Sequence, residues 1–562
     1  MFFSGLKYLS SAVHLVFMGY GIALDVGTSG YRSHVVDLSD NGKIISTAIT
    51  MRHPLPGANV MDHLHFWIEN GSEVGHKILM DTINNLIDLH HVDKSKIERL
   101  AVCGNPIQVS MFENIEIRDL AYAGKSMLKK LNITPPNRRG KIITAGDINL
   151  TALNPETKVI IPPAIRHEIG ADALAMIIKS GLLDKKETCM VTDYGTNAEM
   201  GLYHDGDLYS GSAAAGPAME GQAITHGMLA APLAISDVSF ADNGGWTNII
   251  LNDDLKPTAG SVIDPRDGKV LKSSTQNAIG ITGTGVVSIV ALGIESGVIK
   301  LPSIATADHN IHLQGGMVLT EGDVNEAGKA MGAIRAGHRT LIEEVGIDDE
   351  EVKTMYMAGA SGTYVDPIKS QTVGMIPRVI DRTVQIGNTS LMMAYDLVKD
   401  DETLDMMQSV ADSIASKHIM FAGNEIFENI YVSELAYWTE GMPLDMYNDM
   451  IVGNGLRPLP DIKRPKHVDR MVVSDIPVIG GGKLKVLDNV GVYLTGSFEG
   501  CVGCGVCVDR CPEHALSLID GGKYGYTLKI ATEHCLGTAC KNCESVCPQS
   551  VYSFSDLSIS EK

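Results

Sequence analysis

From Tyr20 onward, short apolar segments alternate with glycine-rich turns and longer amphipathic stretches. Residues 21–25 and 189–192 have the length and apolar character of buried strands, whereas residues 169–179 have the longer pattern of a helix. Strands that alternate with helices along the chain are typical of α/β proteins. The pattern therefore predicts an α/β fold.

One long helix can be delimited at both ends. Thr320 and Asp323 have the spacing of an N-terminal cap, and Gly346 follows the last periodic position. Between these ends, apolar residues recur at helical spacing at Val324, Ala327, Met331 and Ile334. We expect the apolar stripe of this helix to pack against a sheet.

The chain also contains an internal repeat. The segments at 24–30 and 192–198 each end an apolar strand with Asp-x-Gly-Thr and then resume an alternating pattern. Self-similar segments of this kind indicate duplication. We therefore expect two related halves.

Composition limits the classes of function. A chain of 562 residues and 60.3 kDa is long enough for two or three domains. Its 46 Lys and Arg against 67 Asp and Glu give a net charge of −21, which disfavours nucleic acid and anionic membranes as partners. We find no apolar run of about 18 residues or more, so no membrane-spanning helix is predicted and we expect a cytoplasmic protein.

Three boundaries follow from these patterns. Residues 453–470 contain three prolines and little periodicity, which predicts an extended linker. We expect a two-half domain over 18–452 and a smaller cysteine-bearing domain over 471–562. Residues 1–17 lack a cleavable targeting pattern, and we expect a non-native or disordered start there.

Eight of the ten cysteines lie within 47 consecutive positions of the C-terminal domain, and they form two motifs. The motifs are Cys501-x2-Cys504-x2-Cys507-x3-Cys511-Pro and Cys535-x4-Cys540-x2-Cys543-x3-Cys547-Pro. This spacing is typical of two-cluster ferredoxins, in which three thiolates of each motif bind one [4Fe–4S] cluster and the fourth binds the other. The predicted ligand sets are Cys501, Cys504, Cys507 and Cys547, and Cys535, Cys540, Cys543 and Cys511.

Two alternatives for the cysteines are weaker. A zinc site normally uses Cys-x2-Cys pairs separated by a longer stretch, and a disulfide framework conflicts with the absence of a secretion signal. The x4 gap after Cys535 departs from the commonest ferredoxin spacing, so the role of this residue is the least secure. Cys103 and Cys189 have the surroundings of ordinary buried thiols, and we assign no chemistry to them.

Three turns are candidates for a nucleotide site. The turns after Asp25 and Asp193 place backbone N–H groups and hydroxyls where they can cradle phosphate, and the two carboxylates can hold Mg²⁺ directly or through water. A glycine-rich turn after residue 357 allows close approach of adenosine. The proposed contact residues are Gly27, Thr28, Ser29, Gly195, Thr196, Asn197, Gly359, Ala360, Ser361 and Gly362. Either Asp turn alone is more often an ordinary strand connection, but the pair is a stronger signal.

These motifs resemble those of a known superfamily. The segments Asp25-x-Gly-Thr, Asp193-x-Gly-Thr-Asn and Ala358-Gly-Ala-Ser-Gly are similar to the two phosphate motifs and the adenosine motif of the acetate and sugar kinase, heat-shock-70 and actin superfamily. The resemblance implies a duplicated actin-like ATPase fold, followed here by an α+β two-cluster ferredoxin domain. It also implies catalytic roles for Asp25 and Asp193.

Within that superfamily, four further segments resemble the ATP-dependent reductive activators of corrinoid proteins. These segments are Ile169-Gly-Ala-Asp-Ala-Leu-Ala, Ala214-Ala-Gly-Pro-Ala-Met-Glu-Gly, Gly280-Ile-Thr-Gly-Thr-Gly and Gly387-Asn. Many relatives carry an N-terminal plant-type [2Fe–2S] domain, which this sequence lacks. The C-terminal pair of [4Fe–4S] motifs makes the chain similar to the activators that serve methylamine methyltransferases in methanogenic archaea.

The resemblance implies ATP-dependent one-electron reduction of inactive Co(II) corrinoid proteins to Co(I), with electrons from a low-potential donor. Three alternatives stay open at this point. The chain could feed electrons to a radical dehydratase or ring reductase, although such activators usually hold one cluster between two subunits. It could also be a metabolite kinase with a fused ferredoxin, or a nucleotide-dependent scaffold with structural clusters.

Overall fold

The computed structural model describes residues 19–121, 125–165, 169–216, 218, 223–414 and 417–560. The expected start at residues 1–17 lies outside this part of the chain. The described residues form two similar α/β halves and a smaller cysteine-rich unit. The α/β class predicted from the sequence is therefore confirmed.

The first half contains a sheet with helices on its faces and ends in a helix that leads to the second half. Its elements are β1 (Tyr20–Val26), β2 (Tyr31–Asp37), β3 (Lys43–Thr50), α1 (Val60–Asn70), α2 (Ser72–Leu89), β4 (Ile97–Gly104), α3 (Pro106–Glu113), α4 (Arg118–Ala121), α5 (Lys125–Lys130), β5 (Lys141–Thr144), β6 (Lys158–Ile161) and α6 (Ala171–Ser180).

The second half is larger because a second, smaller sheet is inserted between two of its strands. Its elements are β7 (Cys189–Tyr194), β8 (Asn197–His204), β9 (Asp207–Ala214), β10 (Ala234–Phe240), β11 (Trp246–Leu251), β12 (Pro257–Ile263), β13 (Val270–Lys272), β14 (Gly280–Ile281), α7 (Gly283–Glu295), β15 (Ile299–Lys300), β16 (Ser303–Ile304), β17 (Asn310–His312), β18 (Val318–Thr320), α8 (Glu321–Val345), β19 (Thr354–Ala358), α9 (Gly359–Tyr364), α10 (Pro367–Thr372), β20 (Arg382–Gly387), α11 (Thr389–Lys399), α12 (Glu402–Ser413), β21 (Lys417–His418), α13 (Glu425–Glu440), α14 (Leu444–Gly453) and β22 (His467–Arg470).

The C-terminal part begins with a strand that joins the first half and continues into the cysteine-rich unit. Its elements are β23 (Lys485–Leu487), β24 (Tyr493–Gly496), α15 (Val506–Asp509), β25 (Leu516–Asp520), β26 (Tyr526–Ala531), α16 (Asn542–Ser545) and β27 (Ser558–Ser560).

Within the described residues, each half has a seven-stranded sheet, and the central strands of both sheets follow one plan. The strand order is β23-β3-β2-β1-β4-β6-β5 in the first half and β21-β9-β8-β7-β19-β20-β22 in the second. β1 and β7 each pair antiparallel with the next strand and parallel with β4 or β19, respectively. This repeated topology confirms the duplication predicted from the two Asp-x-Gly-Thr segments.

Two helices join the halves. α6 follows β6, α11 follows β20, and the two helices pack against each other. α11 also packs on β1 and β4 of the opposite half, so the apolar strands are covered on both faces. The shared core includes Ala23, Cys103, Leu174, Val191, Ile386 and Met393.

The long helix predicted from its caps is α8. Thr320 and Asp323 form a reciprocal capping box, and Gly346 ends the helix in the left-handed conformation at φ 76°. α8 packs on β8 and β9, so a sheet covers its apolar stripe, as the sequence predicts. Of the helices within the described residues, none combines the length and the apolar character needed to cross a bilayer.

The segment for which the sequence predicts a linker is bound to the second half. Residues 454–466 lie outside helices and strands apart from an isolated parallel bridge between Lys463 and Val379, and β22 then adds a parallel strand beside β20. After residue 484, β23 adds a parallel strand beside β3 of the first half. Both additions pair backbone groups at a sheet edge that would otherwise be exposed. We refer to residues 467–487 as the strap; the boundaries of the domains themselves stay a prediction.

The cysteine-rich unit has a four-stranded sheet in the order β25-β26-β24-β27 and docks on α1. Phe554 lies edge-on to Phe66 of α1, with ring centroids 6.4 Å apart. Lys541 Nζ lies 3.2 Å from a carboxylate oxygen of Glu69. The unit therefore has a fixed position on the first half.

Candidate functional site

The two Asp-x-Gly-Thr turns meet in a cleft between the halves. Asp25 lies near the end of β1 and Asp193 near the end of β7, which are corresponding strands of the two sheets. The turns that follow approach each other so closely that Ser29 Oγ lies 3.4 Å from Thr196 Oγ1. The duplication thus places two anion-cradling turns on opposite sides of one space.

Most of the predicted nucleotide residues line this cleft. The lining includes Asp25, Gly27, Thr28, Asp193, Gly195, Thr196, Asn197, Gly359, Ala360 and Ser361. Ser29 is buried behind the surface, where its hydroxyl meets Thr196. Gly362 lies in α9 against Tyr194, and its carbonyl accepts a hydrogen bond from Gln385 Nε2 at 2.8 Å. The structure therefore brings the three predicted turns together, with Ser29 and Gly362 in supporting positions.

Gly359 allows this close approach. Its φ is 83°, in the left-handed region that favours glycine, and a Cβ at this position would lie 2.1 Å from Asp193 Oδ1. A larger residue would displace the carboxylate or the turn. The glycine is thus a steric requirement of the cleft.

Two acidic residues of the cleft were missed by sequence reasoning as site residues. Asp172 lies in the first turn of α6, and Glu199 pairs across β7–β8 with Asp193. Burial and the nearby Asp25 raise the pKa of Asp172 to about 6. Burial, Asp172 and Asp193 raise the pKa of Glu199 well above its usual range. Side chains alternate along a strand, so Glu199 lies on the same face of β8 as the predicted contact residue Asn197. This alternation is the sequence signal that could have identified Glu199 as a cleft residue.

Two asparagines hold residues of the first phosphate turn in position. Asn388 caps α11 through Leu391 N, and its Nδ2 donates to Asp25 Oδ2 at 2.8 Å across the junction of the halves. Asn105 caps α3, and its Nδ2 donates to Thr28 Oγ1 at 3.1 Å. Each asparagine therefore connects the start of a helix to a phosphate turn. Of the two asparagines, only Asn388 belongs to a segment singled out in the sequence.

Arg32 brings a positive charge to the cleft and is held by the strap. Its Nε donates to Asp475 Oδ2 at 2.8 Å, and Asp475 Oδ1 accepts from the Tyr364 hydroxyl at 2.8 Å. Arg32 belongs to the first half, whereas Tyr364 belongs to the second. The buried Asp475 of the strap therefore contacts both walls of the cleft.

The eight C-terminal cysteines line two cavities. The outer site is lined by Cys501, Cys504, Cys507 and Cys547, and the inner site by Cys511, Cys535, Cys540 and Cys543. These are the two sets that the sequence predicts, each with three cysteines of one motif and the fourth of the other. The inner site faces the first half, where Gly57 N donates to Cys535 O at 2.8 Å.

The chemistry of these sets fits iron–sulfur clusters. All ten cysteines are free thiols. Among the residues that the structure describes, no group of three His, Cys, Asp or Glu side chains converges closely enough for a single metal ion. A [4Fe–4S] cluster has a different requirement, because four thiolates surround a larger cube. Apolar residues such as Phe498, Leu528 and Phe554 line the two cavities and lower the local polarity around the cysteines.

Known proteins resemble this chain over most of its length. The "[Co(II) methylated amine-specific corrinoid protein] reductase" of Methanosarcina barkeri is 45% identical over 523 residues, which cover 92% of this chain and 96% of that protein. The chain belongs to the family of corrinoid protein reductive activators. The family resemblance stated from the motifs is thereby confirmed.

Three domain models match consecutive parts of the chain. The model described as the RACo middle region matches residues 20–185, and the model described as the C-terminal domain of RACo, the ASKHA domain, matches 187–448. A 4Fe-4S dicluster model matches residues 500–551. These matches confirm the actin-like fold with a C-terminal ferredoxin domain.

More distant members of the family cover less. The "Corrinoid activation enzyme RamQ" of Eubacterium limosum is 25% identical over 405 residues, or 66% of this chain and 62% of that protein. A solved "Reductive activator for corrinoid,iron-sulfur protein" matches with a TM-score of 0.61 and 25% identity, over 75% of this chain and 66% of that one. The chain thus spans slightly less than two thirds of each of these longer activators.

The raised pKa of Asp172 predicts a pH dependence of stability. Between its ordinary pKa of 3.8 and about 6, the folded protein keeps a proton that the unfolded chain has released. The free energy of unfolding therefore falls as pH rises through this window, by about 3 kcal/mol in all, of which roughly half lies between pH 5 and pH 7. Denaturant titrations at pH 5 and pH 7 should show a smaller difference for Asp172→Asn than for the wild type. An equal difference in the two proteins would contradict the prediction.

Proposed function

We propose that this chain uses ATP to drive the one-electron reduction of inactive Co(II) corrinoid proteins to Co(I), in support of methylamine methyltransferases in methanogenesis. The observation that carries the proposal is the fixed connection of a two-half phosphate cleft to two four-cysteine sites within one chain. The 45% identical relative, named as a reductase of a methylated amine-specific corrinoid protein, supports the substrate class. A cytoplasmic location and a low-potential electron donor are parts of the same proposal.

The cleft would bind ATP with Mg²⁺. The turns after Asp25 and Asp193 offer backbone N–H groups and the hydroxyls of Thr28 and Thr196 to the phosphates. The carboxylates of Asp25 and Asp193 would hold Mg²⁺ together with phosphate oxygens, because Mg²⁺ is usually bound by one or two carboxylates, substrate and water. The glycine turn at 359–362 would lie against the adenosine.

The outer and inner sites would each hold one [4Fe–4S] cluster. Such clusters carry single electrons at potentials that depend on hydrogen bonding and solvent exposure. The protein surrounds the two sites differently. Each site has one exposed cysteine, Cys504 in the outer site and Cys540 in the inner site, but two cysteines of the inner site are buried and none of the outer site. Lys541 and Phe554 beside the inner site contact α1. The outer site would admit a partner protein, and the inner site would connect the unit to the ATPase.

The energetic demand of the reaction matches an ATPase. Each 59 mV of unfavourable potential in a one-electron transfer costs about 1.4 kcal/mol, which is a factor of ten in the equilibrium. Nucleotide binding can shift the equilibrium to that extent if the nucleotide-bound and empty states differ in their affinity for the corrinoid partner. Asn388 contacts Asp25 across the junction of the halves, so nucleotide binding at Asp25 would act on this junction.

The decisive experiment is anaerobic reduction of a Co(II) corrinoid protein. With reconstituted protein and titanium(III) citrate, we expect Co(I) absorbance to appear only when Mg-ATP is added. Asp193→Ala should slow this ATP-driven reduction by about 100-fold or more, because the Mg-nucleotide loses an orienting carboxylate, while the iron content stays unchanged. The exposed Asp242→Ala is the matched control. Absence of ATP-dependent Co(I) with the wild type would refute the proposal.

A second prediction concerns Gly359. Gly359→Ala should weaken ADP binding by about tenfold or more in isothermal titration, because its Cβ would displace the Asp193 carboxylate. The control is Gly244→Ala, since Gly244 has nearly the same φ of 82° but no atom within 4 Å of an added Cβ. Both variants place alanine at a positive φ, but only Gly359→Ala adds a Cβ against another side chain. The comparison therefore distinguishes steric crowding of Asp193 from backbone strain. If the two variants bind ADP with equal affinity, the nucleotide does not bind beside Gly359 and Asp193.

A third prediction tests the ligand with the unusual spacing. Cys535→Ser should lower the iron content from about eight to about four atoms per chain, because the outer site keeps all of its cysteines. Cys189→Ser is the control, since Cys189 is a buried thiol of β7 whose Sγ donates to Glu187 O at 3.3 Å, a bond that serine can keep. Iron analysis and EPR of the reduced proteins provide the measurement. Full iron content in Cys535→Ser would exclude this residue as a ligand.

A further inference from the structure

A buried polar cluster lies between the phosphate turn of the first half and the inner site. It consists of His53, His63 and Gln108, which are almost completely inaccessible to solvent. The two imidazole rings are stacked with centroids 3.8 Å apart and planes inclined by 16°. Buried polar groups of this kind are costly unless they are hydrogen-bonded, so their arrangement is strongly specified.

Gln108 connects the two histidines through both ends of its amide. Its Oε1 lies 2.9 Å from His53 Nε2, and its Nε2 lies 2.9 Å from His63 Nδ1. Leu55 N donates to His53 Nδ1 at 3.1 Å, which assigns the proton of His53 to Nε2. Gln108 Oε1 is the nearer acceptor of that proton, and the Tyr31 hydroxyl lies 3.2 Å from the same nitrogen. The amide of Gln108 therefore fixes the orientation of both rings.

On one side, the cluster is connected to the nucleotide cleft. Gln108 lies in the first turn of α3, and its backbone N donates to Asn105 Oδ1 at 2.9 Å. The same asparagine donates through Nδ2 to Thr28 Oγ1 in the phosphate turn. A ligand that engages Thr28 therefore acts on the cap of α3, and Gln108 is three residues from that cap.

On the other side, the cluster is connected to the inner site through residues 51–59. His53 belongs to this segment, which contains Pro54 and Pro56 and is therefore stiff. Gly57 has φ 134°, and a Cβ there would lie 3.0 Å from His63 Cδ2, so the segment lies directly against the second ring. Gly57 N then donates to Cys535 O at 2.8 Å.

We propose that Gln108 is a positioning residue that couples nucleotide binding at Thr28 to the position of the inner site, through His53, His63 and residues 51–59. The inference rests on the proposed function and specifies how its two parts communicate. Each contact in the series is a direct hydrogen bond or a van der Waals contact between described residues. Displacement of the α3 cap by a nucleotide would thus be passed to the backbone that carries Cys535.

Hydrogen–deuterium exchange of the iron-loaded protein, with and without Mg-AMPPNP, tests the coupling directly. In the wild type we expect the nucleotide to change exchange at residues 24–30 and also at 53–59 and 533–541. Gln108→Met keeps the length of the side chain but removes both hydrogen bonds of the amide. It should keep the response at 24–30 and lose the response at 53–59 and 533–541.

The matched control is Gln371→Met. Gln371 is equally buried, and its Nε2 donates to the carbonyls of Pro377, Arg378 and Lys463 in the second half. This variant should keep the full response to AMPPNP. An EPR-monitored redox titration adds an independent readout, in which AMPPNP should shift a midpoint potential in the wild type and in Gln371→Met but not in Gln108→Met.

The outcomes separate this inference from the proposed function. A wild type without any nucleotide effect at 533–541, or a Gln108→Met protein that keeps the effect, would overturn the coupling even if ATP-dependent Co(I) formation is observed. Conversely, failure of Co(I) formation leaves the exchange experiment valid. If Gln108→Met does not fold, the wild-type comparison decides alone.

Discussion

The structure depends on the repulsion among carboxylates at the junction of its two halves. Asp25, Asp172, Asp193 and Glu199 line one cleft, and the pKa values of Asp172 and Glu199 are raised because burial and the neighbouring acids disfavour their charged forms. Protons relieve this repulsion in part, and a cation that enters with a nucleotide would relieve it further. The cost of assembling the acids is thus linked to ligand binding.

The strap gives this junction a connection to the C-terminal unit. It adds β22 to one sheet and β23 to the other, and between these strands Asp475 accepts hydrogen bonds from Arg32 and Tyr364 on opposite walls of the cleft. A buried carboxylate that loses one such partner is strongly destabilised. Movement of one half against the other must therefore either break these bonds or carry the strap along. The strap leads directly into the cysteine-rich unit, and its two strands attach it to both halves.

Local patterns were sufficient to predict the parts of the protein whose chemistry lies in consecutive residues. The cysteine motifs, the two Asp-x-Gly-Thr turns and the capped helix α8 all have short-range signatures. The cysteine motifs predicted the dicluster domain, and the turns carried the family resemblance that implied the actin-like fold. Residues brought in by tertiary structure were missed. Asp172 lies inside the segment Ile169-Gly-Ala-Asp-Ala-Leu-Ala, but nothing in that segment marks it as a cleft residue, and Glu199 has no motif of its own. The sheet-edge pairing of residues 467–470 depends on a strand more than 80 residues earlier. Likewise, His53 and Gln108 meet across 55 positions of sequence, so their partnership is visible only in the folded chain.

The attachment of the cysteine-rich unit limits how the ATPase can act on it. Phe554 against Phe66, Lys541 beside Glu69 and the bond from Gly57 N to Cys535 O hold the inner site on α1. A large displacement of the cysteine-rich unit from α1 would expose this apolar contact to water, at a free-energy cost of about 25 cal/mol for each Å² of apolar surface uncovered. Small displacements of residues 51–59 have no such cost, because they keep the contact and change only the backbone next to Cys535. A potential that depends on hydrogen bonds near the thiolates responds to displacements of that size, and the docked arrangement therefore favours local adjustment over transport of the whole unit.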